Sequence, residues 1–340
     1  MPARTERTLM ADNSKIQWTD ATWNPTVGCK LVSPGCTNCY AMKLAGRLER
    51  MGGKTGAKYA GLTAPSKAGP IWTGTIRLDE AALLTPLRWK KPRRIFVNSM
   101  SDLFAEDLPD AAIDTIFAVM QRAPRHIFQV LTKRSDRMKS YVAGLYADAD
   151  SNNRRWFDRG FCWPLGNRAE MARDRVVPFR NIWLGVSVED QQRADERIPN
   201  LLATPAPLRF ISAEPLLGPV DVRAWLPWKT RAYEGNTSID WVIAGGESGR
   251  GARPMHPDWA RALRDQCAAA GVPFFFKQWG EFLPFDDAID VDCADVLDGQ
   301  IAGFGGGDPG GNPQMVRLGK KKAGRRLDGR EHSEFPSAAA

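Results

Sequence analysis

Short apolar runs, each followed by a polar or glycine-rich turn and then a helical pattern, recur along this 340-residue chain, and that alternation narrows its possible folds most. Six runs read as strands: 94–98 (RIFVN), 126–131 (HIFQVL), 182–188 (IWLGVSV), 208–212 (LRFIS), 241–245 (WVIAG) and 272–276 (VPFFF). Most are continuously apolar, as strands are when helices cover both faces of a parallel sheet. Helical patterns fall between them. Cys39–Met51 sets Leu44, Leu48 and Met51 on one stripe, and Asp110–Ala123 sets Ile113, Ile116, Phe117 and Met120 on one face. Arg134–Leu145 offers Met138, Tyr141, Val142 and Leu145, and Pro257–Ala270 offers Trp259, Leu263, Cys267 and Ala270. Alternating strands and helices predict an α/β fold. Six or more repeats fit a full or partial (β/α) barrel, with a doubly wound open sheet as the alternative.

Two stretches break the alternation. Residues 146–181 are polar and then carry Trp156, Phe161, Cys162 and Trp163, which suits an insertion or lid. Residues 285–316 are rich in Gly and Asp, which suits a long loop. The expected organisation is a flexible leader over 1–13, a barrel over 14–284 with an insertion at about 146–181, and a Gly-rich loop with a basic tail over 285–340. The leader has no apolar core of the kind an export signal needs. No apolar run reaches the roughly 18 residues that cross a bilayer. A cytoplasmic protein is expected.

The formal charge is +8. Arg88, Lys90, Lys91, Arg93 and Arg94 crowd together, and Lys320, Lys321, Lys322, Arg325, Arg326 and Arg330 crowd the tail. Such an excess suits a polyanionic partner or simply a solvated basic surface. Tryptophans at 18, 23, 72, 89, 156, 163 and 279 lie in or near predicted loops, where they either stack bases or pack.

Three of the six cysteines lie within eleven residues, Cys29, Cys36 and Cys39, with the spacing C-x6-C-x2-C. Gly28, Pro34 and Gly35 let the chain turn sharply there, and Cys39 opens the first helical pattern. Soft thiolates select zinc or iron–sulfur centres. A structural zinc site takes four protein ligands, and no local fourth one follows; His126, His256 and His332 are distant in sequence. Cys162 is the possible fourth ligand. Three thiolates suit a [4Fe–4S] cluster with one iron left open. Cys267, on a helix's apolar face, reads as a buried thiol.

The run TWNPTVGCKLVSPGCTNCYA (22–41) resembles the signature of a phage-associated three-cysteine family similar to radical S-adenosylmethionine (SAM) proteins. The segments FVNSMSDLF (96–104), VLTKRSDRM (130–138), LGVSVED (184–190), ISAEPLLGPV (211–220), VIAGGESGRGARPM (242–255), FFFKQWGEF (274–282) and LDGREHSEFP (327–336) fit the same pattern. Most radical SAM proteins use C-x3-C-x2-C, so the first gap here is three residues longer. The resemblance implies a partial (β/α)6 TIM-like barrel of the radical SAM type, with the cysteine loop after the first strand. It implies a [4Fe–4S] cluster on Cys29, Cys36 and Cys39, S-adenosylmethionine as cofactor, and an electron donor such as flavodoxin or ferredoxin.

In such barrels functional groups project from the C-terminal ends of the strands. The resemblance makes Ser99 and Asp102 candidates for the SAM amino group, Lys133 for a carboxylate or phosphate, and Ser187 and Glu189 for the ribose. Glu214 ends the next strand. Gly245, Gly246 and Glu247 form a glycine-rich end that permits close backbone approach, with Arg250 and Arg253 as phosphate candidates. Charged and amide groups at so many strand ends imply one polar cavity at the rim, since unpaired burial costs several kcal/mol. The basic clusters and a looser likeness to spore photoproduct lyases favour a nucleic-acid or nucleotide substrate. The alternatives are a non-catalytic zinc or iron–sulfur binding module and a radical SAM modifier of a peptide or protein.

Overall fold

Seven parallel strands form one sheet in chain order: β1 (Ala21–Trp23), β2 (Arg94–Val97), β3 (Ile127–Thr132), β4 (Ile182–Ser187), β5 (Arg209–Ala213), β6 (Trp241–Gly245) and β7 (Phe274–Gln278). The structure is a computed structural model that describes residues 14–150, 179–227, 237–287, 301–304 and 313–337. The leader, most of the predicted insertion with Trp156, Phe161, Cys162 and Trp163, and Cys293 lie outside the described residues. A doubly wound sheet reverses its strand order midway. Here every strand lies beside its predecessor, with Ile95 between Ala21 and Phe128, so the chain winds one way. The mixed α/β fold is a parallel sheet curled into a half-barrel, with β1 and β7 at its edges.

The helices are α1 (Tyr40–Met51), α2 (Asp110–Gln121), α3 (Ser135–Asp150), α4 (Gln191–Leu202) and α5 (Pro257–Ala270). Three bury the predicted faces: Ile113, Ile116, Phe117 and Met120; Met138, Tyr141, Val142 and Leu145; Trp259, Leu263 and Cys267. In α1 the expected stripe holds only in part, with Leu44 and Leu48 half-buried against the core there. Ala41, Met42 and Ala45 are buried, whereas Met51 is exposed. The helix packs so closely that a Cβ on Gly46 would lie 2.6 Å from Pro70. Among the described residues no helix is long and apolar enough to cross a membrane.

Side chains alternate between the two faces of each strand. Ile95, Val97, Phe128, Val130, Leu184, Ile211, Val242 and Phe274 join the core that includes the helices. Phe96, Trp183, Phe210, Ile243 and Phe275 face inward with Trp18 and Trp241 and fill the half-barrel's interior. Gly185 follows Trp183 on that inner face, and its missing Cβ leaves room for the Phe210 ring, 2.5 Å from where it would stand. Gly185→Ala is expected to cost about 1–3 kcal/mol by overpacking, read from the urea midpoint, with part regained in the Gly185→Ala/Phe210→Leu double variant. An unchanged midpoint rejects this packing.

The chain's end runs along β7. Phe276 donates to the His332 carbonyl, and the Trp241 indole donates to the Glu334 carbonyl. That covers backbone which would otherwise be an open sheet edge. Three short strands, β8 (Phe282–Pro284), β9 (Ile301–Ala302) and β10 (Met315–Arg317), pair antiparallel, followed by the one-turn helix α6 (Lys320–Ala323).

His126 is fully buried at the start of β3, its Nε2 3.1 Å from the Pro86 carbonyl. Burial lowers its pKa from the ordinary value, and Arg125 adds to the effect. The unfolded chain then binds more protons between that lowered pKa and about 6.5, so this contribution is full above about pH 6.5 and fades below it. His126→Gln is expected to flatten the slope of stability just below about pH 6.5. An unaltered slope contradicts the assignment.

Candidate active site

Inward parity carries each strand from aromatic packing at its base to a polar group at its C-terminal end. Phe96 leads to Asn98, Leu131 to Lys133, Gly185 to Ser187, Phe210 to Ser212 and Glu214, and Phe275 to Lys277. These side chains line one cavity of about 210 Å³, floored by Ile16, Trp18, Phe96 and Leu131. Of the sequence candidates, Ser99, Asp102, Lys133, Ser187, Glu214, Gly246 and Glu247 line it, together with all three cysteines of the N-terminal loop. Glu189 and Gly245 do not. Glu189 is fully buried beneath the cysteine loop, and Gly245 packs against Lys277 and Glu214.

The cysteine loop starts at Gly28, whose φ of 92° and close approach to the Thr75 carbonyl admit no side chain. Its N–H donates to the Met100 carbonyl, and its carbonyl accepts from the Ser101 hydroxyl at 2.6 Å, which fixes the loop to the end of β2. Pro34–Cys36 form one 3-10 turn, and Cys39 caps α1. Cys29 and Cys39 are half-buried, and Cys36 is buried. Burial pushes the Cys29 thiol up to about 12, aided by Asp102 and opposed by Arg134, and burial also raises the Cys39 thiol. Among the described residues no other cysteine and no histidine lines the cavity. Nor are any three His, Cys, Asp or Glu side chains there grouped tightly enough to hold a metal ion.

Most of the rim's charged groups are already engaged. Asp102 accepts from the Thr132 hydroxyl (2.6 Å), the Phe104 and Lys133 amides and Arg134 Nη1 (3.0 Å). Arg134 also lies 3.8 Å from Cys29 Sγ. Lys277 Nζ bonds both oxygens of Glu214, at 2.6 and 2.8 Å. Glu247 accepts from Arg253 and from Asn38 in the cysteine loop. Burial alone would raise the Glu247 carboxyl, but Arg253 and Asn38 hold it below its ordinary value. In contrast, the hydroxyls of Ser187, Ser212 and Ser248 make no hydrogen bond among the described residues. Two buried cavity donors, Trp18 Nε1 and Asn98 Nδ2, also have no partner there.

Several readings change. Trp23 and Trp279 are core, with their indoles bonded to the Ala82 and Arg326 carbonyls. Arg253, a phosphate candidate by sequence, is tied to Glu247 and to the Pro34 carbonyl. The space that a Cβ on Gly246 would need is taken by the Trp279 carbonyl oxygen at 1.8 Å, so close backbone packing explains this glycine. The basic run 88–94 enters β2 at its N-terminal end, away from the cavity, where Arg94 pairs with Asp20 and lies over Phe335. Lys320 of α6 lies nearer, within electrostatic reach of Lys277 and Glu214.

Fold and site together define an α/β half-barrel with a cysteine-bordered cavity at the C-terminal ends of its strands. The chain belongs to the family described as protein of unknown function (DUF5131), whose model matches residues 13–336. Among solved structures it is similar to spore photoproduct lyase complexed with dinucleoside spore photoproduct, at 11% identity over 92% of this chain and 72% of that chain, with a TM-score of 0.35. A mutant of that lyase with bound AdoMet and dinucleoside spore photoproduct is similar at 11% identity over the same shares, with a TM-score of 0.37. No curated protein matches the chain.

Proposed function

We propose that this chain is an iron–sulfur enzyme of the radical SAM type, of the phage-associated three-cysteine group, acting on a nucleic-acid or nucleotide substrate in the reducing cytoplasm. The observation that carries the reading is the three thiols of one short loop, which border a single cavity at the strand ends, apolar at its floor and polar at its rim, with no fourth cysteine or histidine beside them among the described residues. The donor set fits a [4Fe–4S] cluster in number and softness. Cys29, Cys36 and Cys39 would hold it, and their sulfurs would draw together and lose protons on binding. The chemistry such a cluster would supply there, given one electron from a donor such as flavodoxin or ferredoxin, is reductive cleavage of SAM into methionine and a 5′-deoxyadenosyl radical.

The chain's own groups bind and orient. The free hydroxyls of Ser187 and Ser212 suit a ribose, and Ser248 stands beside Glu247 on the same wall. Ser99 is oriented by Asn24, with 3.1 Å between the hydroxyl and the amide oxygen. Asp102 fixes the Lys133 backbone and Arg134, so its part is to set these cations at the rim. Lys133, paired with Glu189, and Lys277, paired with Glu214, are the cations set by these carboxylates at the rim for a ligand carboxylate or phosphate. The apolar floor excludes water beneath a ligand. Gly245 and Gly246 let β6 and β7 approach closely behind it.

Anaerobic reconstitution tests the reading. The expected result is SAM- and reductant-dependent release of 5′-deoxyadenosine, detected by chromatography. A colourless protein with one tightly bound zinc and no such product supports the binding-module alternative instead.

A further inference from the structure

The cysteine loop leaves β1 at one edge of the sheet, yet it is gripped from strands far across it. Glu189 follows β4 and Glu247 follows β6, three and five places along the strand order. Both carboxylates are buried, at 0% and 6% exposure. Glu189 Oε1 accepts from the Ser33 hydroxyl at 2.7 Å and from Lys133 Nζ, and its Oε2 accepts from Arg197 Nη1 at 2.9 Å. A Cβ on Gly35 would lie 2.5 Å from the Glu189 side chain, so the loop rests its glycine directly on this carboxylate. Glu247 Oε2 accepts from Asn38 Nδ2 at 3.0 Å and from the Arg253 amide and Nε, both at 2.9 Å. Arg253 in turn donates to the Pro34 carbonyl at 3.0 Å, and Asn38 Nδ2 donates to the Gly251 carbonyl at 2.6 Å.

We propose that Glu189 and Glu247 are positioning residues that clasp the cysteine loop across the mouth of the half-barrel, one at Ser33–Gly35 and the other at Asn38, with Cys36 held between them. The clasp itself is a property of the metal-free chain. That it presents Cys36 to a cluster rests on the function proposed above. Bonds to buried charges are strong enough to hold a segment that has little regular structure of its own. Each carboxylate spends its other hydrogen bonds on a cation from its own part of the sheet, so the posts stay fixed when the loop is released. This also explains why Glu189 is absent from the cavity wall: it supports the loop from beneath.

The test leaves both carboxylates in place and removes the loop's side of each grip, together with the 3.9 Å contact between the Ser33 hydroxyl and Cys36 Sγ, which Ser33→Thr keeps, and the bonds of Asn38 to the Gly251 carbonyl and Lys43 Nζ. Ser33→Ala and Asn38→Ala are made singly and together, and iodoacetamide alkylation of the apoprotein is followed residue by residue by mass spectrometry. Cys36 reports the loop, and Cys267, fully buried in the core, reports global opening. Each single variant is expected to raise the Cys36 rate about tenfold, the double variant further, with Cys267 unmoved. Ser33→Thr, which keeps the hydroxyl, is expected to retain protection. An unaltered Cys36 rate in the double variant overturns the clasp, as does a parallel rise at Cys267. Iron bound by the wild-type chain is measured separately: a protected Cys36 in a chain that takes up no iron sinks the cofactor reading and leaves the clasp standing.

Discussion

Replacing Cys29, Cys36 and Cys39 together by serine is expected to reduce iron from about four per reconstituted chain to below about one, with the fold retained. The hydroxyl is a hard, scarcely acidic ligand, whereas the thiolate is soft and is deprotonated outright by a bound metal. The loop's other anchors do not involve the thiols. Gly28 is bonded to β2, and Ser33 and Asn38 to the buried carboxylates. Urea denaturation of the metal-free variant is therefore expected to match the metal-free wild type. Iron analysis decides the matter: full iron in the triple variant places the metal elsewhere, with Cys162 and Cys293 as the thiols to replace next.

Asp102→Ala is expected to lower stability by about 3–5 kcal/mol, the cost of stripping a buried charge of its partner. Asp102 and Arg134 are 5% and 4% exposed, and they meet at 3.0 Å. The other salt-bridge partner of Arg134, Glu106, is 54% exposed at its side chain and so gives little compensation. Removing the carboxylate also strands the Thr132 hydroxyl and two backbone amides. Asp102→Asn keeps an acceptor and is expected to lose less. Urea unfolding with an unchanged m-value is the measurement. A loss under about 1 kcal/mol in Asp102→Ala would mean that this pair does not hold the end of β3 in place.

Much of the fold is legible in the chain because parallel strands covered on both faces are continuous apolar runs, and β2 to β7 fall within a few residues of such runs. The same continuity hides which face is which. Ile95 and Phe96 look alike in sequence, yet one packs under helices and the other inside the half-barrel. β1 escapes notice because it has three residues, ATW, between polar neighbours. α4 escapes because QQRADERIPNLL is mostly polar. Its signals are the Asp190 cap, which accepts from the Arg193 amide, and the spacing of Ala194, Ile198 and Leu201.

The site is legible in part for the same geometric reason. Polar residues end the apolar runs, which brings Ser187 and Glu214 into view, but inward parity, which sets Ser187 in the cavity and Glu189 outside it, is visible only in the curled sheet. What the pattern does not carry is partnership across the sheet. Nothing in the local sequence of Glu189 or Glu247 names Ser33 or Asn38, because those contacts arise only when the sheet curls. The position of the basic run was readable: it precedes β2, and parallel strands that all start at one end place their leading residues away from the rim.

Electron paramagnetic resonance of the reduced, anaerobically reconstituted chain, recorded with and without SAM, tests the central claim most directly. The account predicts a [4Fe–4S] signal whose line shape changes when SAM is added, because three cysteines leave one iron free to accept it. A chain without iron, or a cluster signal indifferent to SAM, would contradict it.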